Sequence, residues 1–163
     1  MESVDMSQNA SILIAEDDAG HFALVKKNLW RTCALREIIH FRSGEELLRF
    51  LFPPEDADSG ILNGHEYLVL LDIRLPGKNG IEILRLIKQD QELRKIPVFM
   101  LTTSSDPTDI NRSYELGCSA YINKPRDYTD FMETVESIGQ LLSMPEFIWP
   151  PIQREKIGCL GPS

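Results

Sequence analysis

Several polar residues stand directly after short apolar runs of the sequence, where strands of a parallel sheet would end. Ligands of such sheets bind beyond the carboxyl ends of the strands, so these residues are the first candidates for chemistry. They comprise carboxylates, hydroxyls and one lysine. The four groups are Glu16-Asp17-Asp18 after Ile12–Ala15, Asp72 after Tyr67–Leu71, Thr102-Thr103 after Pro97–Leu101, and Lys124-Pro125 after Ala120–Ile122.

Carboxylates that converge on one site repel each other, and a divalent cation relieves the repulsion. Mg²⁺ prefers hard oxygen ligands and commonly shares a phosphate oxygen, so the predicted chemistry is phosphoryl transfer onto a carboxylate. Asp72 is the predicted nucleophile, because it ends the most apolar run at the centre of the sheet. Asp17 would be a metal ligand, and Glu16 would act through water. Thr102 and Lys124 would each bind an oxygen of the phosphoryl group.

The elements that must position these residues alternate along the chain between apolar runs and segments of helical periodicity. Ser43 and Glu46 form a predicted capping box, Asp106-Pro107 starts a helix and Gly117 ends it. Five strands and five helices predict an α/β fold, a flavodoxin-like (βα)5 doubly wound parallel sheet with strand order 2-1-3-4-5. The predicted strands are Ile12–Ala15, Glu37–Phe41, Tyr67–Leu71, Pro97–Leu101 and Ala120–Ile122, and the last helix is Asp130–Leu142.

Composition narrows the class of protein. The chain has 163 residues and a formal net charge of −8, which argues against a nucleic-acid binder and against attachment to an anionic membrane. Its start, Met1 to Ala10, does not resemble a signal peptide, and no apolar stretch approaches the ~20 residues that span a bilayer. Cys33, Cys118 and Cys159 are odd in number and widely spaced, which indicates free thiols in a cytoplasmic protein.

Four motifs occur in order on the elements where they are expected: Ile14–Asp18, Leu71–Gly80, Leu101–Thr103 and Ala120–Pro125. Together they resemble bacterial response-regulator receiver domains. The resemblance covers residues 11–143 and leaves residues 1–10 as a flexible N-terminus and residues 144–163 as a C-terminal extension.

This resemblance implies that Asp72 accepts a phosphoryl group from a histidine kinase while Mg²⁺ is bound, with Mn²⁺ or Ca²⁺ as substitutes. The metal would be held by Glu16, Asp17, Asp72 and the backbone carbonyl of Arg74. Lys124 would complete the catalytic set. Thr102 and Tyr121 would be the switch residues: the threonine turns toward the phosphoryl group and the aromatic ring changes rotamer.

A narrower resemblance concerns the acidic loop insertion at residues 53–66, the run Thr102–Ser104 and the segment Tyr114–Ala120. These are similar to stand-alone regulators that partner phytochrome-type histidine kinases. The similarity implies such a kinase as partner. It also implies a homodimer through the face of the fourth helix, fifth strand and fifth helix and through residues 144–163. The flanks are too short for a DNA-binding domain, so output would be protein–protein contact or onward transfer to a histidine phosphotransfer protein.

Several residues have ordinary structural interpretations beside the functional ones. Asp18 would cap the first helix or join the acidic site. Tyr121 would be a half-buried strand aromatic or a switch. His21, His40 and His65 are scattered, and each is expected to be structural and not a phosphodonor or metal ligand.

Two segments leave alternatives open. Residues 53–66 are expected to be a solvated loop, with a partner contact as the alternative. The tail contains Phe147, Ile148, Trp149 and Ile152, which together would form an apolar patch that soluble monomers avoid. The tail either folds back on its own domain or is buried across a homodimer or against a partner, and the second alternative is favoured.

Two departures from the common receiver pattern bear on rates. Thr103 stands where a small residue is frequent and would narrow access to the phosphoryl group. Arg74 stands at a position that tunes hydrolysis of the acyl phosphate, where its guanidinium would pair with Glu16 or cover the site. Arg74 also disfavours a phosphohydrolase of the haloacid dehalogenase type, which needs an acid there. An FMN-binding domain is disfavoured by Glu16–Ala19, which would repel phosphate.

Overall fold

The computed structural model of the chain describes residues 10–32, 37–57 and 59–152, in which five strands and five α-helices alternate. The strands form one parallel sheet in the order β2-β1-β3-β4-β5, which confirms the predicted flavodoxin-like topology. The strands are β1 (Ala10–Ala15), β2 (Glu37–Phe41), β3 (Glu66–Leu71), β4 (Val98–Thr102) and β5 (Ala120–Asn123). The helices are α1 (Ala19–Thr32), α2 (Gly44–Leu51), α3 (Gly80–Gln89), α4 (Pro107–Leu116) and α5 (Tyr128–Ser143), with a 3₁₀ turn at Leu93–Lys95.

The two faces of the sheet carry separate hydrophobic layers, because alternate side chains of a strand point to opposite faces. On one face, Leu13 and Val69 pack with residues of α2 and α3. On the other, Ile12 and Leu70 pack with residues of α1 and α5. β1, β3 and β4 are buried along their whole length apart from Glu66, as expected for central parallel strands covered on both faces.

Helix starts follow the predicted capping chemistry, with one shift. Ser43 caps α2 by accepting a hydrogen bond from the Glu46 N–H, and Asp106 caps α4 through the Thr108 N–H. Gly117 ends α4 with a φ of 103°, as predicted. The last helix begins earlier than predicted, because Asp127 accepts from the Asp130 N–H and starts it at residue 128.

The acidic segment contains no helix or strand between Phe52 and His65 among the residues that the structure describes. It is not wholly solvated, because Ile61 packs against the core and its N–H donates to the Phe50 carbonyl. The Leu62 N–H donates to the Tyr67 hydroxyl. Glu66, predicted as the end of this loop, is the first residue of β3.

The tail, residues 144–152, crosses the end of the sheet at which its strands begin, here called the amino edge, and packs within its own chain. Trp149 is buried with the α1–α5 layer, whereas Ile152, three residues later, is buried with the α2–α3 layer. The Ile152 N–H donates to the His65 carbonyl, and the Gly64 N–H donates to the Ile152 carbonyl. The first of the two alternatives for the tail is therefore correct for these residues, and the favoured burial of Trp149 and Ile152 in a dimer is wrong. Ile148 remains 78% exposed.

Some expectations fall outside the described residues. These are the flexible N-terminus up to Asn9, the thiols of Cys33 and Cys159, Asp58 in the acidic segment, and the extension beyond Ile152. Cys118 is a free, buried cysteine. None of the helices in the described part of the chain has the length and apolar character needed to span a bilayer.

Candidate functional site

The carboxyl ends of β1 and β3 bring three carboxylates together. These strands pair in parallel with Ala15 opposite Leu71, so the residues that follow them are neighbours. One carboxylate oxygen each from Glu16, Asp17 and Asp72 lies within 4.8 Å of the others. Glu16 and Asp72 are buried, whereas Asp17 is exposed. An all-oxygen cluster of this kind is a candidate site for a divalent cation.

Lys124, which follows β5, brings a positive charge into this cluster. Its side chain is buried and forms ion pairs with Glu16 and with Asp72. The distance from Lys124 Nζ to Asp72 Oδ2 is 3.0 Å. The Lys124 backbone N–H donates to the Thr102 carbonyl, so the pairing of β4 with β5 fixes the backbone from which this side chain extends. The ammonium group therefore neutralises part of the buried negative charge.

Burial raises the pKa of the Glu16 carboxyl, because the charged form loses water. The neighbouring Asp72 carboxylate acts in the same direction. The hydrogen bond and charge of Lys124, and the Asp18 N–H that donates to Glu16, act against the rise. Since burial is the largest cause, the Lys124 ammonium does not fully offset the loss of water at the Glu16 carboxylate.

The backbone beside Asp72 is held by close contacts. The Arg74 N–H donates to Asp72 Oδ1 over 3.2 Å, and the Gly80 N–H donates to the Ile73 carbonyl over 2.8 Å. A Cβ atom at Gly80 would lie 2.1 Å from the Asp72 carbonyl oxygen, so only glycine allows α3 to start here. The start of α3 thereby helps to fix the backbone that carries the Asp72 carboxylate.

Thr102 and Tyr121 meet at one backbone unit, that of Ser104. Thr102 is fully buried, and its hydroxyl oxygen accepts from the Ser104 N–H. The Tyr121 hydroxyl donates to the Ser104 carbonyl over 2.8 Å, and the Asn123 side-chain amide donates to the same oxygen over 2.7 Å. The loop after β4 is therefore connected on one side to Thr102 and on the other to β5.

Asp18 is not part of the acidic cluster. Its carboxylate accepts from the His21 N–H over 2.9 Å, so it caps α1, and this hydrogen bond lowers the pKa of the Asp18 carboxyl. The structural alternative for Asp18 is therefore the correct one.

Two histidines lie closer to the site than the sequence predicted. His21 Nδ1 is 3.3 Å from Lys124 Nζ and 3.8 Å from Glu16 Oε1. His40 Nε2 is 2.7 Å from the Glu16 backbone carbonyl. The position of His21 in the first turn of α1, at the carboxyl edge of the sheet, is a signal that the sequence contains. No sequence pattern identifies His40.

A cleft of about 580 Å³ opens between α1, the residues after β3, β4 and β5, and the start of α5. Its wall includes Lys124, the ion-pair partner of Glu16 and Asp72. Arg74 and Thr103, the two departures from the receiver pattern, are exposed and line it. His21, Lys124 and Arg126 also line this cleft, so its polar wall is mainly basic. Such a wall suits an anionic group that approaches Asp72.

This fold and site define a doubly wound α/β domain with an acidic site at the carboxyl edge of its sheet. The family model of the response regulator receiver domain matches residues 12–136. The chain therefore belongs to the response regulator receiver family, and it is a receiver of two-component signalling.

Individual relatives agree with this assignment. The chain is 35% identical to response regulator Rcp1 of Synechocystis sp. over 127 residues. This alignment covers 78% of this chain and 84% of Rcp1. The Mn²⁺-bound structure of Rcp1 matches with a TM-score of 0.78 and 32% identity, over 87% of this chain and 99% of Rcp1.

Two further solved structures are similar. A response regulator receiver domain from Rhodospirillum rubrum matches with a TM-score of 0.80 and 38% identity, over 88% of this chain and 99% of that one. The phosphorylated cyanobacterial phytochrome response regulator RcpA matches with a TM-score of 0.76 and 32% identity, over 86% and 97%.

Proposed function

We propose that Asp72 is the phosphoacceptor of this receiver and that a histidine kinase is the donor. The observation that carries the proposal is the cluster of Glu16, Asp17 and Asp72 within 4.8 Å, with Lys124 bonded to Asp72 and a basic cleft beside it. In the transfer, an oxygen of Asp72 forms a bond to phosphorus as the phosphorus–nitrogen bond to the kinase's histidine breaks. The bonding electron pair leaves with the imidazole.

We further propose Mg²⁺ as the resident cation, because the donor set is made of carboxylate oxygens, which Mg²⁺ prefers. Glu16, Asp17 and Asp72 would hold it, together with the backbone carbonyl of Arg74. When bound, Mg²⁺ supplies positive charge for the oxygens of the phosphoryl group. Lys124 would bind a further oxygen once it is released from its ion pair with Asp72. Mn²⁺ and Ca²⁺ are expected substitutes.

The bonds of Ser104 suggest how phosphorylation would be transmitted. The Thr102 hydroxyl would turn to donate a hydrogen bond to a phosphoryl oxygen. It would then lose the hydrogen bond that it now accepts from the Ser104 N–H. The loop after β4 would then rearrange together with Tyr121, whose hydroxyl bonds the Ser104 carbonyl. Phosphorylation would in this way shift an equilibrium between two arrangements of the α4–β5–α5 face. Arg74 and Thr103, which line the cleft, are expected to set the lifetime of the acyl phosphate through self-dephosphorylation.

The decisive experiment is the mass of the intact protein after incubation with acetyl phosphate, with and without Mg²⁺. We expect a Mg²⁺-dependent gain of one phosphoryl group that Asp72→Asn abolishes. Asp18→Asn is the matched control, because Asp18 lies outside the cluster and asparagine still caps a helix. A phosphoryl group on Asp72→Asn would contradict the assignment of the site.

We propose a phytochrome-type histidine kinase as the partner, supported by the similarity to RcpA, a phytochrome response regulator. Phosphotransfer in the cytoplasm would follow, with output through protein contact or onward transfer to a histidine phosphotransfer protein. The test compares initial transfer rates from a phytochrome kinase and from an unrelated kinase under identical conditions. Equal rates from both donors would contradict this partnership.

We also propose that two copies associate through the face of α4, β5 and α5. An apolar groove lined by residues of β5 and α5, such as Ile122, and by Phe147 after α5 supports the β5–α5 part of this face, as does the exposed Leu141. Leu141→Glu should lower the mass measured by light scattering toward that of a monomer. Leu62→Glu, a matched exposed leucine in the acidic segment, should leave it unchanged. Equal masses for wild type and Leu141→Glu would exclude this face.

A further inference from the structure

His40 on β2 occupies an unusual place between the sheet and α1. Its ring lies parallel to that of Phe22, with centroids 3.6 Å apart and an interplanar angle of 5°. Its Nε2 atom is 2.7 Å from the backbone carbonyl oxygen of Glu16. A carbonyl oxygen only accepts, so His40 must donate. Both the neutral Nε2–H tautomer and the protonated ring carry this hydrogen.

The contact completes the fixation of the Glu16 backbone. The Glu16 N–H donates to the Phe41 carbonyl over 3.0 Å, and its carbonyl accepts from His40. Both polar backbone atoms of Glu16 are thus bonded to consecutive residues of β2. The peptide plane that joins Glu16 to Asp17 is therefore fixed on its carbonyl side.

This peptide matters because it carries two of the three clustered carboxylates. The Glu16 side chain is already held by Lys124 and by the Asp18 N–H. Asp17 is exposed, so the backbone that leads into it is what directs its carboxylate. A partner that fixes the carbonyl between the two residues acts on the geometry of the acidic cluster without touching a cation.

We propose that His40 is a positioning residue for divalent-cation binding at Glu16 and Asp17. This inference rests on the proposed function of the acidic cluster as a cation site. Groups that orient metal ligands commonly change metal affinity by 10–100-fold when they are removed, so His40→Phe should weaken Mg²⁺ and Mn²⁺ binding about tenfold. Phenylalanine keeps a flat ring to stack on Phe22 and removes only the donor.

The test measures Mn²⁺ binding by electron paramagnetic resonance, Mg²⁺ binding by calorimetry and thermal unfolding in EDTA. It compares the wild type with four variants, His40→Phe, His40→Gln, Phe22→Leu and Asp17→Asn. Glutamine places an amide donor near the position of Nε2 and should restore most of the affinity. Phe22→Leu removes the stacking but keeps the donor, so it should lower the unfolding temperature and leave the affinity unchanged. If His40→Phe does not fold, His40→Leu replaces it.

The outcomes separate the two proposals. If the wild type binds cations and His40→Phe binds them equally well, the role of His40 is refuted while the cation site stands. If His40→Phe and Phe22→Leu lose the same affinity, His40 is only a packing residue and the inference fails. If the wild type binds no cation, the proposed cation site fails first, and the inference falls with it. A loss in His40→Phe with recovery in His40→Gln supports the inference.

Discussion

The two ends of the sheet, the carboxyl edge where its strands end and the amino edge where they begin, are built in opposite ways. At the carboxyl edge, the carboxylates of Glu16, Asp17 and Asp72 are clustered. Lys124, which lines an open cleft, is shared between two of them. At the amino edge, the tail closes the sheet with Trp149 and Ile152, which are buried in different layers of the core. One edge concentrates charged side chains, most of them buried, and the other excludes solvent with apolar side chains.

This difference separates stability from function within one small domain. Like-charged carboxylates in a buried place oppose folding, and here a single ammonium group is shared between two of them. Burial of large apolar side chains favours folding, and a Trp side chain contributes several kcal/mol. The amino edge therefore helps to stabilise a fold whose carboxyl edge holds the proposed site for a cation and a phosphoryl group. Substitutions at the two edges should therefore differ in how they change the free energy of unfolding and the Mg²⁺ affinity.

The largest effect on stability is expected from the amino edge. Trp149 is 3% exposed, so Trp149→Ala should lower the free energy of unfolding by about 3–4 kcal/mol through the cavity that it leaves. Urea denaturation measures the loss. Mg²⁺ affinity, measured below the unfolding transition, should stay at the wild-type value. A large loss of Mg²⁺ affinity with unchanged stability would contradict the division between the edges.

The carboxyl edge should respond to the loss of its internal cation. Lys124→Met leaves buried Glu16 and Asp72 without their ion-pair partner, and we expect a loss of about 3 kcal/mol in EDTA. Mg²⁺ at 100 times its dissociation constant should return about 2.7 kcal/mol, because the cation binds only the folded state. Denaturation with and without Mg²⁺ checks this. Equal stability of wild type and Lys124→Met in EDTA would mean that the ion pairs contribute nothing.

A smaller effect is expected at the helix start that supports Asp72. Gly80→Ala places a Cβ atom against the Asp72 carbonyl, so the backbone must shift, at a cost of about 2 kcal/mol. The same shift should weaken Mg²⁺ binding. Gly64→Ala is a useful comparison, because Gly64 has no heavy atom within 4 Å of the added Cβ but does have a φ of 80°. Loss of stability without loss of Mg²⁺ affinity in Gly80→Ala would show that α3 does not position Asp72.

The smallest effect is expected at the exposed residue of the tail. Ile148→Ser should change the free energy of unfolding by less than about 0.5 kcal/mol, since the side chain is 78% exposed. Thermal unfolding beside Trp149→Ala makes the contrast between neighbouring residues direct. A destabilisation as large as that of Trp149→Ala would indicate that Ile148 is buried, by the chain or by a second copy.

Much of the fold was predictable, because its signals are local. The apolar runs predicted all five strands, and the capping residues Ser43 and Asp106 predicted two helix starts. The placement of Asp72 beside Glu16 and Asp17 followed from the strand order, since parallel strands end at one edge. The roles of these residues stay proposals until phosphorylation is measured.

The main features that the sequence did not predict depend on contacts between residues that are far apart in the chain. The sequence showed that Trp149 and Ile152 need burial, but not that the tail would find both layers of its own core. The fourth strand was predicted to begin at Pro97, one residue before the observed start of β4 at Val98. The contact of His40 with Glu16 joins residues 24 positions apart, and no local pattern reports such a contact.

The pairing at the amino edge has a consequence for how this protein can be tagged. Ala10 is the register partner of Glu66, and Glu66 also forms a bridge with Pro151. The two ends of the described fold therefore meet at the same strand, on the side away from the carboxylates. A fluorescent reporter joined at residue 10 or at residue 152 would leave from that side, away from the cluster of Glu16, Asp17 and Asp72. A donor–acceptor pair attached at both ends would report on local opening of the tail.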